Sequence, residues 1–246
     1  SWTVGPAVAA FTLRKLSFVG LFGGASLLYV LLFVFVTVFV KKTPRRAPVP
    51  SGADASVSDI LRRREVMLWF LGLTLMLAAH HMSINNMSLL VLNVLGGSES
   101  DVGVIFSLAP LFELPFMLYV GFLATRVRSA RLIRGAMLLA VAYYLGLSLV
   151  RTPEEIYPLQ AVSAAIVSVT SGVAITFFQD LLPQRLGGAT NLYANAARVG
   201  QTSGYLTFGV VAGRFGHRGT AVVCALFAAT ALALTAFTGR RNVGTE

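Results

Sequence analysis

Charge is what this chain has least of. Only 12% of its 246 residues are Asp, Glu, Lys or Arg, against about 25% in an ordinary soluble domain. Acids are scarcest, numbering ten. A single cysteine, Cys224, excludes an internal disulfide framework and a cysteine metal cluster. Of the three histidines, the adjacent His80 and His81 point about 100° apart on a helix, with no third ligand in step. His-Glu-x-x-His, a paired intramembrane aspartate and Gly-x-Ser-x-Gly are all missing. Nothing therefore points to an enzyme, a metal or any other cofactor.

Apolar residues fill the space that charge leaves: 56% of the chain is hydrophobic and the mean hydropathy is +0.75. Crossing a bilayer takes roughly 20 apolar helical residues. Segments of that kind recur at 16–40, 66–95, 102–124, 132–150, 157–178, 190–212 and 220–238. Residues 1–10 are apolar but too few to cross, and no Met opens the chain. The expectation is that it begins inside an eighth helix, as the C-terminal piece of a longer protein. Segment 16–40 is too long for a signal-peptide core, and no signal-type cleavage site follows it. The predicted fold class is all-α, a polytopic membrane helical bundle.

The formal net charge of +10 invites a nucleic-acid reading, which the placement of the charges opposes. Alternating loops put Lys41, Lys42, Arg45, Arg46, Arg62, Arg63, Arg64, Arg126, Arg128, Arg131, Arg134, Arg185, Arg240 and Arg241 on one side. The other side holds Arg14, Lys15, Arg151, Arg214 and Arg218, with the acidic loop 96–101 and Glu154-Glu155. The positive-inside rule makes the richer side, and with it the C-terminus, cytoplasmic. The excess reflects topology and contact with anionic lipid, and no nucleic-acid partner is expected.

The one long polar stretch, rich in Pro, Ser and Ala, reads as a flexible cytoplasmic linker over 41–65. Six spans follow it, and one span with the tail of another precedes it. A twelve-helix carrier of two six-helix halves, cut inside helix five, gives this pattern. Residues 1–40 are then the end of the N-terminal half (partial helix five, helix six), and 66–246 the C-terminal six-helix bundle. A short internal repeat agrees. Gly121-Phe-Leu-Ala-Thr-Arg126 closes helix eight and Gly209-Val-Val-Ala-Gly-Arg214 closes helix eleven, each with a polar residue, Glu113 or Gln201, eight positions before the glycine. Repeated three-helix units within each half are expected of such carriers.

Three segments then match a known pattern in order. Phe112-Glu113-Leu-Pro115-Phe-Met117 with Gly121–Arg126 resembles helix eight and its loop in the bacterial sugar efflux transporters of the major facilitator superfamily. Gly188-Ala-Thr190-Asn-Leu-Tyr193-Ala-Asn195-Ala-Ala-Arg198-Val-Gly200 resembles the start of helix eleven there, and Asn85-Asn86-Met87-Ser-Leu-Leu resembles helix seven. The resemblance implies a secondary active transporter of the bacterial inner membrane, exporting sugars or sugar-like molecules against protons. Its partners would be the small-molecule substrate, a proton, the lipid bilayer and the missing N-terminal half. Gly5-Pro6, with Ser1, Ala9 and Ala10 in place of three glycines, is similar to the helix-five antiporter motif. Gly121–Arg131 resembles the loop motif Gly-x-x-x-Asp-Arg-x-Gly-Arg-Lys, with Thr125 for its acid and Arg128 for its glycine.

Helical faces give the candidate cavity. Asn191, Asn195, Arg198, Thr202 and Tyr205 stand at spacings of 4, 3, 4 and 3 and form one polar stripe along helix eleven. Facing lipid, the stripe would leave these groups unpaired. Amides and hydroxyls so spaced can bind a sugar, and Tyr205 can stack on its ring. Bridging between packed helices is the plainer role for such groups, but Arg198 adds a cost that bridging need not bear. On helix seven, His81, Asn85 and Ser88 share a face, where substrate contact and structural bridging are both open. The candidate substrate-binding residues are His81, Asn85, Asn191, Asn195, Gln201 and Tyr205.

Glu113, alone within an apolar span, costs about 2.5–3.5 kcal/mol to insert. It reads as half of an ion pair with Arg198, as an acceptor for sugar hydroxyls, or as the carboxylate that exchanges a proton for substrate. The last makes Glu113 and Arg198 the proton-coupling pair, with Glu113 expected near Arg198 or Gln201. A drug or multidrug exporter of the same fold is the alternative, with a cavity richer in aromatics and poorer in Asn and Gln.

Overall fold

A computed structural model describes residues 18–39 and 63–238, and every regular element among them is helical. The expected helix-five stub and most of the linker, within 1–17 and 40–62, lie outside the described residues, as do 239–246. The chain divides into two units, Ser1–Ser56 and Val57–Glu246.

In the first unit, α1 (Phe18–Phe39) exposes large apolar side chains on all sides, among them Phe22, Leu28, Tyr29, Leu32 and Phe33. A helix that is apolar all round belongs in a core or a membrane. Thr37 turns its hydroxyl back onto the carbonyls of Phe33 and Val34, at 3.0 and 2.9 Å. That satisfies its one donor within the helix, as hydrocarbon requires.

The second unit contains α2 (Arg64–Asn93), α3 (Glu99–Ala124), α4 (Ser129–Leu149), α5 (Ile156–Ser168), α6 (Ala174–Leu181) and α7 (Leu186–Ala236). A 3-10 turn, Pro153–Glu155, leads into α5, and a π turn, Val169–Val173, joins α5 to α6. Together they make one membrane-length element, Pro153–Leu181. α7 breaks at Gly216, where φ 68 and ψ −178 fall in backbone space essentially restricted to glycine. Six of the described helices are long and apolar enough to cross a membrane, and the break divides the longest into two arms.

Two local details bear on the expected helices. Residues 209–214, expected to close helix eleven, are helical and lie at the end of the first arm of α7, just before the positive-φ break at Gly216. The expected span over 157–178 contains the π turn Val169–Val173. There the Thr170 hydroxyl returns to the carbonyls of Ile166 and Val167, and Tyr193 Oη donates to the carbonyl of Thr170 at 3.3 Å. Side-chain partners of this kind stabilise a widened turn that propensity alone does not reveal.

The most extensive packing in the unit joins α2 to α7, and that of α3 is chiefly with α5. α7 turns Ala189, Leu192, Ala196, Gly200 and Gly204 inward, a stripe small enough for close backbone approach. A Cβ on Gly204 would stand 2.5 Å from the Ala78 carbonyl oxygen, and one on Gly200 would stand 2.8 Å from that of Thr74. α3 opens with a capping box, Ser98 and Asp101 each bonded to the other's backbone N–H. Tyr157 Oη donates to Asp101 Oδ1 at 3.0 Å and joins the starts of α3 and α5.

These contacts also sort the two ends of the unit. Arg134 lies over the Trp69 ring and donates to Thr238 Oγ1 at 3.1 Å. The starts of α2 and α4 therefore share one end with the finish of α7. At the opposite end, Arg218 donates to the Ser148 carbonyl at 2.9 Å. The first end carries Arg63, Arg64, Arg126, Arg128, Arg131, Arg134 and Arg185 against Glu65 and Asp180, and the second carries Arg151, Arg214 and Arg218 against Glu99, Asp101, Glu154 and Glu155.

Candidate substrate-binding face

The small-residue stripe that seats α7 on α2 fixes the direction of everything else on its first arm. At about 100° per residue, Asn191, Asn195, Arg198 and Thr202 fall on the side away from α2, Tyr205 borders them at the edge next to α2, and all five are exposed. Arg198 and Thr202, with Val199, Ser203 and Leu206, line an open groove of about 350 Å³. Gln201, one step round, donates from Nε2 to Tyr205 Oη at 3.0 Å. The Tyr205 ring meets His81 edge-on, with centroids 5.6 Å apart. His81 and Asn85 are half-buried, and Asn85 Nδ2 donates to the His81 carbonyl at 2.9 Å.

The structure thus brings His81, Gln201 and Tyr205 into one cluster, with Asn85 a turn away. Asn191, Asn195 and Arg198 lead off from it along α7. A polyhydroxyl molecule laid along this face would meet amide, guanidinium and phenol groups in sequence.

Glu113 stands apart. It is half-buried on α3 between Pro110 and Pro115, and Ser168 Oγ lies 3.5 Å from its carbonyl oxygen. Among the described residues no ion pair joins it to Arg198, and α3 has at most slight contact with α7. The expected approach to Arg198 or Gln201 is therefore not seen. The physical reason is pairing: α7 is drawn onto α2 by its small residues, which turns Arg198 away, while α3 is held by α5. His80 is half-buried, with its ring edge-on to His81 and no hydrogen bond among the described residues. No group of three His, Cys, Asp or Glu among the described residues is placed to hold a metal ion.

Residues 1–204 match the sequence pattern of the Major Facilitator Superfamily. The chain belongs to that superfamily. Among its relatives, this facilitator chain is 30% identical over 200 residues to "Sugar efflux transporter B" of Salmonella typhimurium, covering 81% of this chain and 50% of that one. It is 30% identical over 235 residues to "Sugar efflux transporter A" of Dickeya chrysanthemi, covering 95% and 59%. With "Sugar efflux transporter C" of Escherichia coli it shares 28% identity over 200 residues, covering 81% and 51%. The facilitator chain therefore spans about half the length of these relatives.

One buried contact escapes sequence reasoning. Asn86 is 3% exposed on the inner face of α2. Its Nδ2 donates to the His217 carbonyl at 2.9 Å, and its Oδ1 accepts from His217 Nδ1 at 2.9 Å. With Oδ1 the acceptor, the imidazole carries its proton on Nδ1. The available signal was periodicity, since Asn86 follows Met82 and precedes Leu90 on the buried stripe. A buried amide there demands a partner. Asn86→Ala should leave the His217 donor and carbonyl unpaired and lower stability by about 1–3 kcal/mol, read as an earlier thermal unfolding transition in detergent. An unchanged transition would show that water replaces the amide at no cost.

Proposed function

We propose that this chain forms the C-terminal six-helix half, with the end of the N-terminal half, of a transporter that exports sugars or sugar-like molecules. The domain boundaries proposed are those of the sequence: 1–40, a linker over 41–65, and 66–246. The observation that carries the reading is the exposed polar stripe of α7, Asn191 to Thr202 on the side away from α2 and Tyr205 at its edge beside His81. In a membrane protein such a stripe with an arginine in it belongs to an aqueous path or a polar partner surface, not to lipid. The relatives' names support sugars as the substrate class, and the stripe's wealth of amides suits them.

In this reading His81, Asn85, Asn191, Asn195, Gln201 and Tyr205 hold the substrate, and Arg198 serves the same face. Glu113, separate from Arg198, carries the coupling proton of an antiport cycle. The opposite half of the carrier closes the path from the other side. The split of arginines and acids between the two ends supports a bacterial inner-membrane location with the C-terminus in the cytoplasm.

The test is export from proteoliposomes holding the intact carrier and a labelled disaccharide. Asn191→Ala/Asn195→Ala removes two neutral hydrogen-bonding groups, each contributing about 0.5–1.5 kcal/mol, so KM for the sugar should rise about tenfold or more. Transport of a lipophilic cation in place of the sugar would overturn the substrate class. Unaltered sugar export by the double variant would remove the stripe from the path.

A further inference from the structure

The turn between α3 and α4 concentrates three cations. Arg126, Arg128 and Arg131 are all exposed there, and among the described residues none has an ion-pair partner. Arg126 lies over the Phe122 ring, 4.4 Å from its centroid. Where the related loop motif has an acid, Thr125 gives its hydroxyl to the Phe122 carbonyl at 2.7 Å, which finishes α3 without supplying charge. Arg128 precedes α4 and offers its first turn no side-chain cap.

Below the turn, α4 has two unlike faces. Ile133, Ala136, Met137, Ala140, Tyr143, Tyr144 and Leu147 are buried. The opposite face runs from Arg131 through Gly135, Leu138, Ala142 and Leu145 to Leu149, at spacings of 4, 3, 4, 3 and 4. Leu138, Leu145 and Leu149 are 61%, 44% and 74% exposed. At about 1.5 Å per residue this ladder is about 27 Å long, close to the roughly 30 Å of a bilayer's hydrocarbon core. It carries no polar side chain below Arg131.

We propose that the α3–α4 turn binds the phosphate of an anionic phospholipid whose acyl chain lies along the outer ladder of α4. The occupant must be anionic at one end and apolar beyond it, and the chains of one phospholipid cover the Arg131 half of the ladder, since each leaflet fills about half of the roughly 30 Å core. A second copy of this chain answers poorly, because the described acids at this end are Glu65 and Asp180 alone. The polar faces that call for a protein partner or an aqueous path are on α7 and at Glu113, not on this ladder. A free phosphate shares the headgroup chemistry but makes no use of the ladder.

The experiment places the intact carrier in nanodiscs of phosphatidylcholine doped with phosphatidylglycerol and measures retained lipid by native mass spectrometry. Phosphatidylglycerol should be enriched on the wild type, and the preference should fall about fivefold for each arginine removed, reaching background in Arg126→Gln/Arg128→Gln/Arg131→Gln. Arg151→Gln, at the opposite end, should keep the wild-type value. Should the triple variant unfold, Arg131→Gln alone still reports, since this exposed side chain makes no ion pair among the described residues. Equal enrichment in the arginine variants would overturn the site. So would loss of enrichment on adding millimolar inorganic phosphate, which would assign the cations to a free anion, or a dimer whose interface excludes the lipid.

Discussion

Glu113→Gln should abolish uphill export driven by a pH gradient while the carrier stays folded and still exchanges sugar passively. Every other described acid sits at or near a helix end: Glu65, Glu99, Asp101, Glu154, Glu155 and Asp180. Glu113 alone lies well inside a span, and an intramembrane carboxylate is costly enough that a functional role is its default explanation. Glutamine keeps the shape and most hydrogen bonds but cannot release a proton. The absence of an ion pair with Arg198 separates the outcomes. Half of a buried pair, once lost, would cost about 3–5 kcal/mol, and the variant would lose folding, binding and export together. With no such partner here, melting should stay close to that of the wild type. A substrate acceptor would instead show weaker binding, by about 1.5–3 kcal/mol for charge-assisted bonds. Measuring counterflow exchange beside gradient-driven export distinguishes these cases. Gradient-driven export at the wild-type rate by the glutamine variant would move coupling elsewhere in the carrier.

Gly204→Leu should prevent the six-helix unit from assembling, and Gly204→Ala should already lower its melting temperature. Added volume in a well-packed interface typically costs about 1–3 kcal/mol. Here the obstruction is backbone: the new Cβ would stand 2.5 Å from the Ala78 carbonyl oxygen and 3.2 Å from its Cα. No rotamer change relieves that, so the two helices must part along their most extensive contact. Gly213→Ala, with nothing within 4 Å of the added carbon, is the control and should melt like the wild type. Size-exclusion profiles and thermal unfolding in mild detergent read both. A monodisperse, normally melting Gly204→Leu protein would show that α2 and α7 separate without cost.

Hydrophobic runs made the helices legible because bilayer length is a constraint that sequence expresses directly. The polar stripe was legible for the same reason: a period of 3.6 placed Asn191, Asn195, Arg198, Thr202 and Tyr205 on one face before any neighbour was known. What periodicity does not carry is which helix packs on which. The repeat logic that paired Glu113 with Gln201 compared positions in sequence. The pairing of helices instead follows from small residues such as Gly200 and Gly204 meeting a particular stretch of α2. Nothing local to Asn86 names its partner, since His217 is 131 positions away. The break at Gly216 and the π turn depend on single backbone angles and on distant hydroxyl donors such as Tyr193.

That π turn sets a phase. An α-helix advances about 100° per residue, so one residue held in a wider turn rotates everything after it by that amount relative to an unbroken helix. Upstream of Val169, Gln160 is buried, and downstream Phe177 lies against Trp69 with centroids 4.4 Å apart. Both orientations hold only if the count between them includes the extra residue. A one-residue deletion at Gly172, which is exposed and where an added Cβ would meet nothing within 4 Å, would leave composition and length almost unchanged. It would nevertheless turn Phe177 and Phe178 out of the core by more than a quarter circle.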